Sequence, residues 1–167
     1  MPHEQMPWPG DLQYAPPEIA YGSLDPDYNT RRIGIDLYLL GSFVVSIFTG
    51  ENMTTWIVKE LDDKLKPRYW GGFYTGDYAS VLPYVANAFE EAMIKIERHI
   101  GSDPKILDEI GLLVRELCAP VPSERGDPTT RRQAASDGNT FDLARYLARI
   151  DRHIVAASVY DRRQNKK

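Results

Sequence analysis

The sequence predicts a mainly α-helical domain built around one buried helix. Three observations carry this reading. Ile33 to Phe48 is apolar on every face apart from Asp36. Two later stretches repeat apolar residues at helical spacing. The connections between these stretches are rich in proline and glycine, which punctuate helices. The chain has 167 residues, 43% of them hydrophobic and 26% charged. That length favours a single domain over 1–167 with a core of its own, the ends 1–9 and 161–167 being flexible.

The first thirty residues carry Pro7, Pro9, Gly10, Pro16, Pro17, Gly22 and Pro26, so no long regular element is expected before residue 30. Ile33 to Phe48 then reads as the central helix, since a helix that is apolar all round belongs inside a core. Val44 and Val45 argue for a strand, but the length of the run favours helix. Gly50 ends it with a left-handed cap. Glu51 to Lys66 reads as an amphipathic helix burying Trp56, Ile57, Leu61 and Leu65, and Pro67 stops it.

Residues 67–76 hold Tyr69, Trp70, Phe73 and Tyr74 among three glycines. This is an aromatic loop, either pinned to the core by its rings or presented as a recognition patch. Ser80 to Arg98 is the next helix, with Val81, Val85, Ala88, Phe89, Ala92 and Ile96 as its stripe. Asp103-Pro104 supplies an N-cap and a proline at the first helical position. The stripe that follows is Ile106, Leu107, Ile110, Leu113, Val114 and Leu117. Pro120 and Pro122 end that helix, and residues 123–139 read as a polar surface loop. A last helix, capped by Asn139 or Thr140, carries Leu143, Tyr146, Leu147, Ile150, Ile154 and Ala157.

Composition narrows the function classes. A net charge of −4 gives no basic surplus, so nucleic acid is not an expected partner. Ile33 to Phe48 is short for a membrane span and contains Asp36, so no membrane association is expected. The N-terminus has no basic start followed by an apolar run, and a lone cysteine, Cys118, cannot form an internal disulfide. A reducing cytoplasm is the expected location. His3, His99 and His153 lie far apart in sequence and form no metal-ligand pattern, so no metal is expected.

Three segments, in order, resemble the C-terminal lobe of serine/threonine protein kinases of bacterial type. Gly10-Asp11-Leu12-Gln13-Tyr14-Ala15-Pro16-Pro17-Glu18 is similar to the end of a kinase activation segment, with Pro16-Pro17-Glu18 at its Ala-Pro-Glu. Asp36-Leu37-Tyr38-Leu39-Leu40-Gly41, closing at Phe48-Thr49-Gly50, resembles the central helix of that lobe. Leu117 to Arg125, with Pro122 and Arg125, resembles the turn after a later helix. An extra helix and the aromatic loop stand between about 51 and 79.

The resemblance implies a kinase C-lobe-like helical domain without an N-lobe. It implies structural roles for Pro16, Pro17, Glu18, Asp36, Gly41 and Arg125. Glu18 and Arg125 would form a buried ion pair, a task suited to the planar guanidinium fork. Asp36 would accept hydrogen bonds from a catalytic loop lying before residue 1. The bare residue pattern also allows Asp36 to be a helix cap, and Glu18 and Arg125 to be solvated surface charges.

Kinase chemistry needs groups that hold a nucleotide and neutralise its phosphates. The sequence has no G-x-G-x-x-G; Gly71-Gly72 and Gly76 have the wrong spacing. Asp151-Arg152-His153 reverses the His-Arg-Asp order, and Asp137-Gly138 lacks the phenylalanine of Asp-Phe-Gly. Asp11 stands where the family has threonine, Leu39 where it has serine, Val121 where it has aspartate, and Gly126 where it has proline. The expectation is a non-catalytic remnant or interaction module with no catalytic, cofactor or metal residues. The alternative is the C-terminal part of a serine/threonine kinase, active with ATP and magnesium only when the missing half is supplied. Either reading leaves the faces near Tyr14, Asp36 and Tyr38 uncovered, so a protein partner or self-association is expected.

Overall fold

A computed structural model describes residues 11–100, 104–137, 144, 146–148, 151, 152 and 155. Among these residues the protein is mainly helical and has no β-strand. The helices are α1 (Pro17–Ala20), α2 (Tyr28–Thr49), α3 (Met53–Glu60), α4 (Tyr78–Ile100), α5 (Pro104–Leu117) and α6 (Pro128–Asp137). The chain divides into two compact units, Met1–Gly126 and Asp127–Lys167.

The first unit holds the core. Tyr38 and Val45 of α2, Met53 and Ile57 of α3, Val85, Phe89, Met93 and Ile96 of α4, and Val114 of α5 form one buried cluster. The side chains expected to be buried on α4 are buried. Ile110 packs against the cluster and Leu113, Val114 and Leu117 are buried on α5.

The helix boundaries follow from local caps. The Asp27 carboxylate accepts the Thr30 N–H at 2.7 Å and starts α2 five residues before the expected Ile33. At its other end Gly50 has φ 77° and donates its N–H to Ser46 O at 2.9 Å. That conformation costs little only without a side chain. Asn52 then caps α3 by accepting from Thr55 N–H at 2.8 Å.

Four expectations need correction. The helix expected over Glu51 to Lys66 is shorter: α3 stops at Glu60 and a single 3₁₀ turn, Asp63–Leu65, follows. Leu61 is extended, and the Asp62 carboxylate takes the Lys64 N–H at 2.8 Å, which restarts the chain as a tight turn. The surface loop expected over 123–139 contains α6. Asp127 accepts from Thr130 N–H at 2.8 Å and Pro128 occupies the first position. This is the same Asp-Pro start that marks α5 in sequence. On the last helix Tyr146 is buried but Leu147 is 57% exposed, off the expected stripe. The Asp103 and Asn139/Thr140 caps, with Leu143, Ile150, Ile154 and Ala157, fall outside the described residues.

The fourth correction concerns α2. Ile35, Leu37, Tyr38, Gly41, Ser42 and Val45 are buried, and the helix packs against α3, α4 and α5. Leu39, Phe43 and Ile47 are nevertheless exposed, the last two at 63% each. An apolar helix here has an open side. With 22 residues and an 18-residue stretch of mean hydropathy 1.5, it is by length and composition alone long and apolar enough to cross a membrane, a test that the core helix of a globular domain also passes.

Candidate functional site

The segment Ala15-Pro16-Pro17-Glu18 enters the core directly. Pro16 is extended, at φ −62° and ψ 154°, and Pro17 takes the first position of α1. Both prolines are fully buried. The rings fix the backbone, and α1 delivers the Glu18 side chain inward. On the other side, α5 ends at Leu117, and a turn through Pro122–Glu124 brings Arg125 back toward the core.

Glu18 and Arg125 meet across 107 positions of sequence. Arg125 Nη1 donates to Glu18 Oε1 at 2.6 Å and Nη2 donates to Oε2 at 2.7 Å. The remaining donors are also used: Nε reaches Ala119 O at 2.9 Å and Nη1 reaches Gly34 O at 3.2 Å. The guanidinium lies 5.0 Å from the centre of the Tyr38 ring. Its side chain has no solvent exposure and that of Glu18 has 8%. Burial works against the arginine charge, but the Glu18 carboxylate beside it outweighs this and holds the guanidinium above its ordinary range. One side chain thus ties together α1, α2 and the turn after α5. Both Glu18 oxygens are occupied by the fork, so the pair acts as a structural clamp and not as a proton carrier.

A second polar link runs beside it. Tyr38 Oη and Thr54 Oγ1 are 2.9 Å apart, and Thr54 Oγ1 donates to Ala15 O at 2.9 Å. This chain fastens α2 and α3 to the segment that precedes α1. Tyr38 is completely buried, which corrects the expectation that its face would be uncovered. Thr54 at its hydroxyl, the Arg125 guanidinium over its ring and the core cluster provide the cover.

Gly41 marks the closest approach of α2 and α5. A Cβ at this position would stand 2.5 Å from Cys118 Sγ and 2.8 Å from Leu117 Cβ. Cys118 is buried, with its Sγ 3.5 Å from Tyr38 O. Burial pushes its thiol up to about 12, and the nearby Arg125 charge only partly offsets this. The thiolate is the reactive form, so the folded protein is expected to resist a thiol-specific reagent at pH 8 and to react fully once denatured. Rapid stoichiometric labelling of the native chain would contradict the packing of α2 on α5.

Asp36 lies elsewhere. It is the ninth residue of α2, too far from the helix start to cap it, and it is exposed to solvent. Asp27 does the capping instead. Asp36, Leu39, Phe43 and Ile47 recur at helical spacing and share one side of α2. Tyr14, at 48% exposure, is also open.

The aromatic loop is pinned by two of its rings and exposes the other two. Pro67 and Tyr74 form an isolated bridge, with Tyr74 N–H donating to Lys66 O at 3.0 Å. Tyr21, which sequence reasoning did not single out, receives the edges of Trp70 at 5.5 Å and Tyr74 at 5.8 Å. Its own hydroxyl donates to Leu65 O at 2.7 Å. Tyr69 and Phe73 point away from this anchor, exposed at 58% and 93%.

Of the remaining charged groups, Arg115 of α5 pairs with Glu90 and Glu97 of α4. His99 has Nδ1 2.9 Å from Lys95 O and its ring beside Trp56. Among the described residues no group of three or more His, Cys, Asp or Glu side chains could hold a metal ion. No family model matches the sequence, and no curated protein or solved structure matches it.

Proposed function

We propose that this chain is a non-catalytic interaction module of the protein-kinase C-lobe type. The observation that carries the reading is the Glu18–Arg125 clamp. It joins a Pro-Pro-Glu turn to the turn after α5 and fastens both to α2 at Gly34. The resemblance assigns the same pairing to the same two turns. Buried, bidentate and carried by motifs in kinase order, the pair organises a lobe. The groups around it are occupied in holding the fold, and the chemistry of nucleotide binding has no glycine-rich loop in the sequence to rest on. A protein partner and a cytoplasmic location belong to this reading.

The exposed side of α2 favours a second reading. Asp36 and the apolar residues Leu39, Phe43 and Ile47 form a face suited to cover by further protein. In the kinase family the aspartate matching Asp36 receives the catalytic loop. The chain would then be the C-terminal part of a serine/threonine kinase, taking up ATP and magnesium only when the other half is supplied.

Titration of the isolated chain with Mg-ATP in a calorimeter tests the first reading. The expected result is no saturable heat. Binding tighter than about 100 μM, well within calorimetric range, would overturn it.

A further inference from the structure

We propose that the aromatic loop joins two copies of this chain, the Phe73 ring of each copy entering a groove beside the same loop on the other. The inference names the partner for the interaction-module reading, and rests on that reading only there; its argument uses surface geometry alone and nothing of the kinase resemblance.

Phe73 is 93% exposed although its loop is firmly held. The bridge at Pro67 and Tyr74, and the packing of Trp70 and Tyr74 on Tyr21, fix the backbone on both sides of it. A rigid loop that presents a whole aromatic ring to water loses apolar burial without gaining disorder. Such rings are the residues that anchor interfaces.

The same loop borders a groove of about 690 Å³. Leu12, Val58, Tyr69 and Trp70 give it apolar walls, and Asp11 and Gln13 add polar groups. This volume lies within the range of pockets that take a small molecule or a large side chain. One loop therefore carries the ring and borders the groove, as a self-complementary two-fold contact requires: each copy offers both the knob and the hole.

Charge supports a second copy over other occupants. Arg68 is exposed on the turn that carries Tyr69, and none of the ion pairs among the described residues uses it. Asp11 is exposed in the groove wall. A two-fold contact can set Arg68 of each copy against Asp11 of the other. Acidic lipid is a poorer match, because Asp62 and Asp63 offset Lys64 and Lys66 beside the loop and leave no basic cluster. Phe73 and Tyr69 from two copies, at about 150–250 Å² per large aromatic ring, together with the groove walls, reach only the lower limit of about 1,200 Å² for a specific interface. The dimer is therefore weak and reversible.

Sedimentation equilibrium of the full chain at concentrations up to about 1 mM tests this. A concentration-dependent dimer is expected. Phe73→Ser should weaken it at least about tenfold, and far-UV circular dichroism should be unchanged because Phe73 supports no core packing. Phe43→Ser with Ile47→Ser, on α2, should leave the dimer intact. Asp11→Arg or Arg68→Asp alone should weaken it, and the two together should restore it. A monomer at every concentration overturns the proposal, and leaves a different protein as the groove's occupant. So does a dimer that survives Phe73→Ser but is lost with the α2 variant. A monomer that binds phosphatidylcholine vesicles through Phe73 would make the loop a membrane anchor and equally overturn it. Saturable ATP binding would refute the non-catalytic reading while leaving this dimer result standing.

Discussion

Replacing Glu18 or Arg125 with alanine is expected to lower the unfolding free energy by about 3–5 kcal/mol, the cost of stranding one member of a buried ion pair. The geometry places this pair at the upper end. The Arg125 side chain has no solvent exposure, so water cannot replace the lost carboxylate. Glu18→Ala leaves the guanidinium with only carbonyl acceptors, Ala119 O and Gly34 O. Arg125→Ala leaves the Glu18 carboxylate buried without its partner and opens a cavity at the face of Tyr38 where the guanidinium lay. Denaturant unfolding of both single variants and the double variant provides the check. The double variant should lose much less than the sum, because removing both charges removes the desolvation problem together with the attraction. Additive losses, or single losses under about 1 kcal/mol as for exposed pairs, would show the clamp to be solvated.

Gly41→Ala should also destabilise, by about 1–3 kcal/mol, and here the sign matters more than the size. Helix propensity alone predicts the reverse, since alanine is favoured over glycine within a helix by about 0.8–1.0 kcal/mol. The added Cβ, however, would meet Cys118 Sγ at 2.5 Å and Leu117 Cβ at 2.8 Å. Leu117 is the last residue of α5 and Cys118 follows it, next to the turn that carries Arg125. Neither is the tip of a long side chain that could swing aside, so α5 must move away from α2 and disturb the clamp. Gly41→Val should be worse, for the same reason. Thermal unfolding of the two variants measures this, and an alanine variant as stable as the parent would mean that the helices are not in such close contact. Adding Cys118→Ala to Gly41→Ala should recover only part of the loss, because Leu117 Cβ remains.

The two cases differ in how far the sequence revealed them. Glu18 and Arg125 have nothing in their local surroundings that pairs them, and spacing alone allows two separate surface charges. Only the kinase-like order of the three segments brought them together on paper. Gly41 could be recognised as part of a motif, but the identity of its neighbour could not, because Cys118 approaches it from just beyond the end of α5. Tyr21 gave no signal at all. Its part in holding Trp70 and Tyr74 depends on three rings from separate segments converging.

Asp36 shows the opposite limit. In sequence it is one charge in an apolar helix, a pattern that reads as a buried group needing partners. In the structure it lies on the open side of α2 with Leu39, Phe43 and Ile47, hydrated and in no need of a partner. Hydrophobic pattern reports which faces of a helix are able to be buried. It does not report how many neighbours arrive to bury them.

What the sequence by itself determined is therefore local. Gly50 and the helical repeat along α4 and α5 act within a few residues, where backbone sterics and side-chain periodicity decide the outcome. The α6 helix was equally legible through Asp127-Pro128, and was missed because its polar stretch carries no apolar stripe. The tertiary structure alone decided which side of α2 is covered, that Arg125 gathers α1, α2 and the α5 turn, and that Phe73 stands in solvent while Trp70 is held. These outcomes depend on contacts between residues tens of positions apart, and the distance between such residues is set by the packing of whole helices.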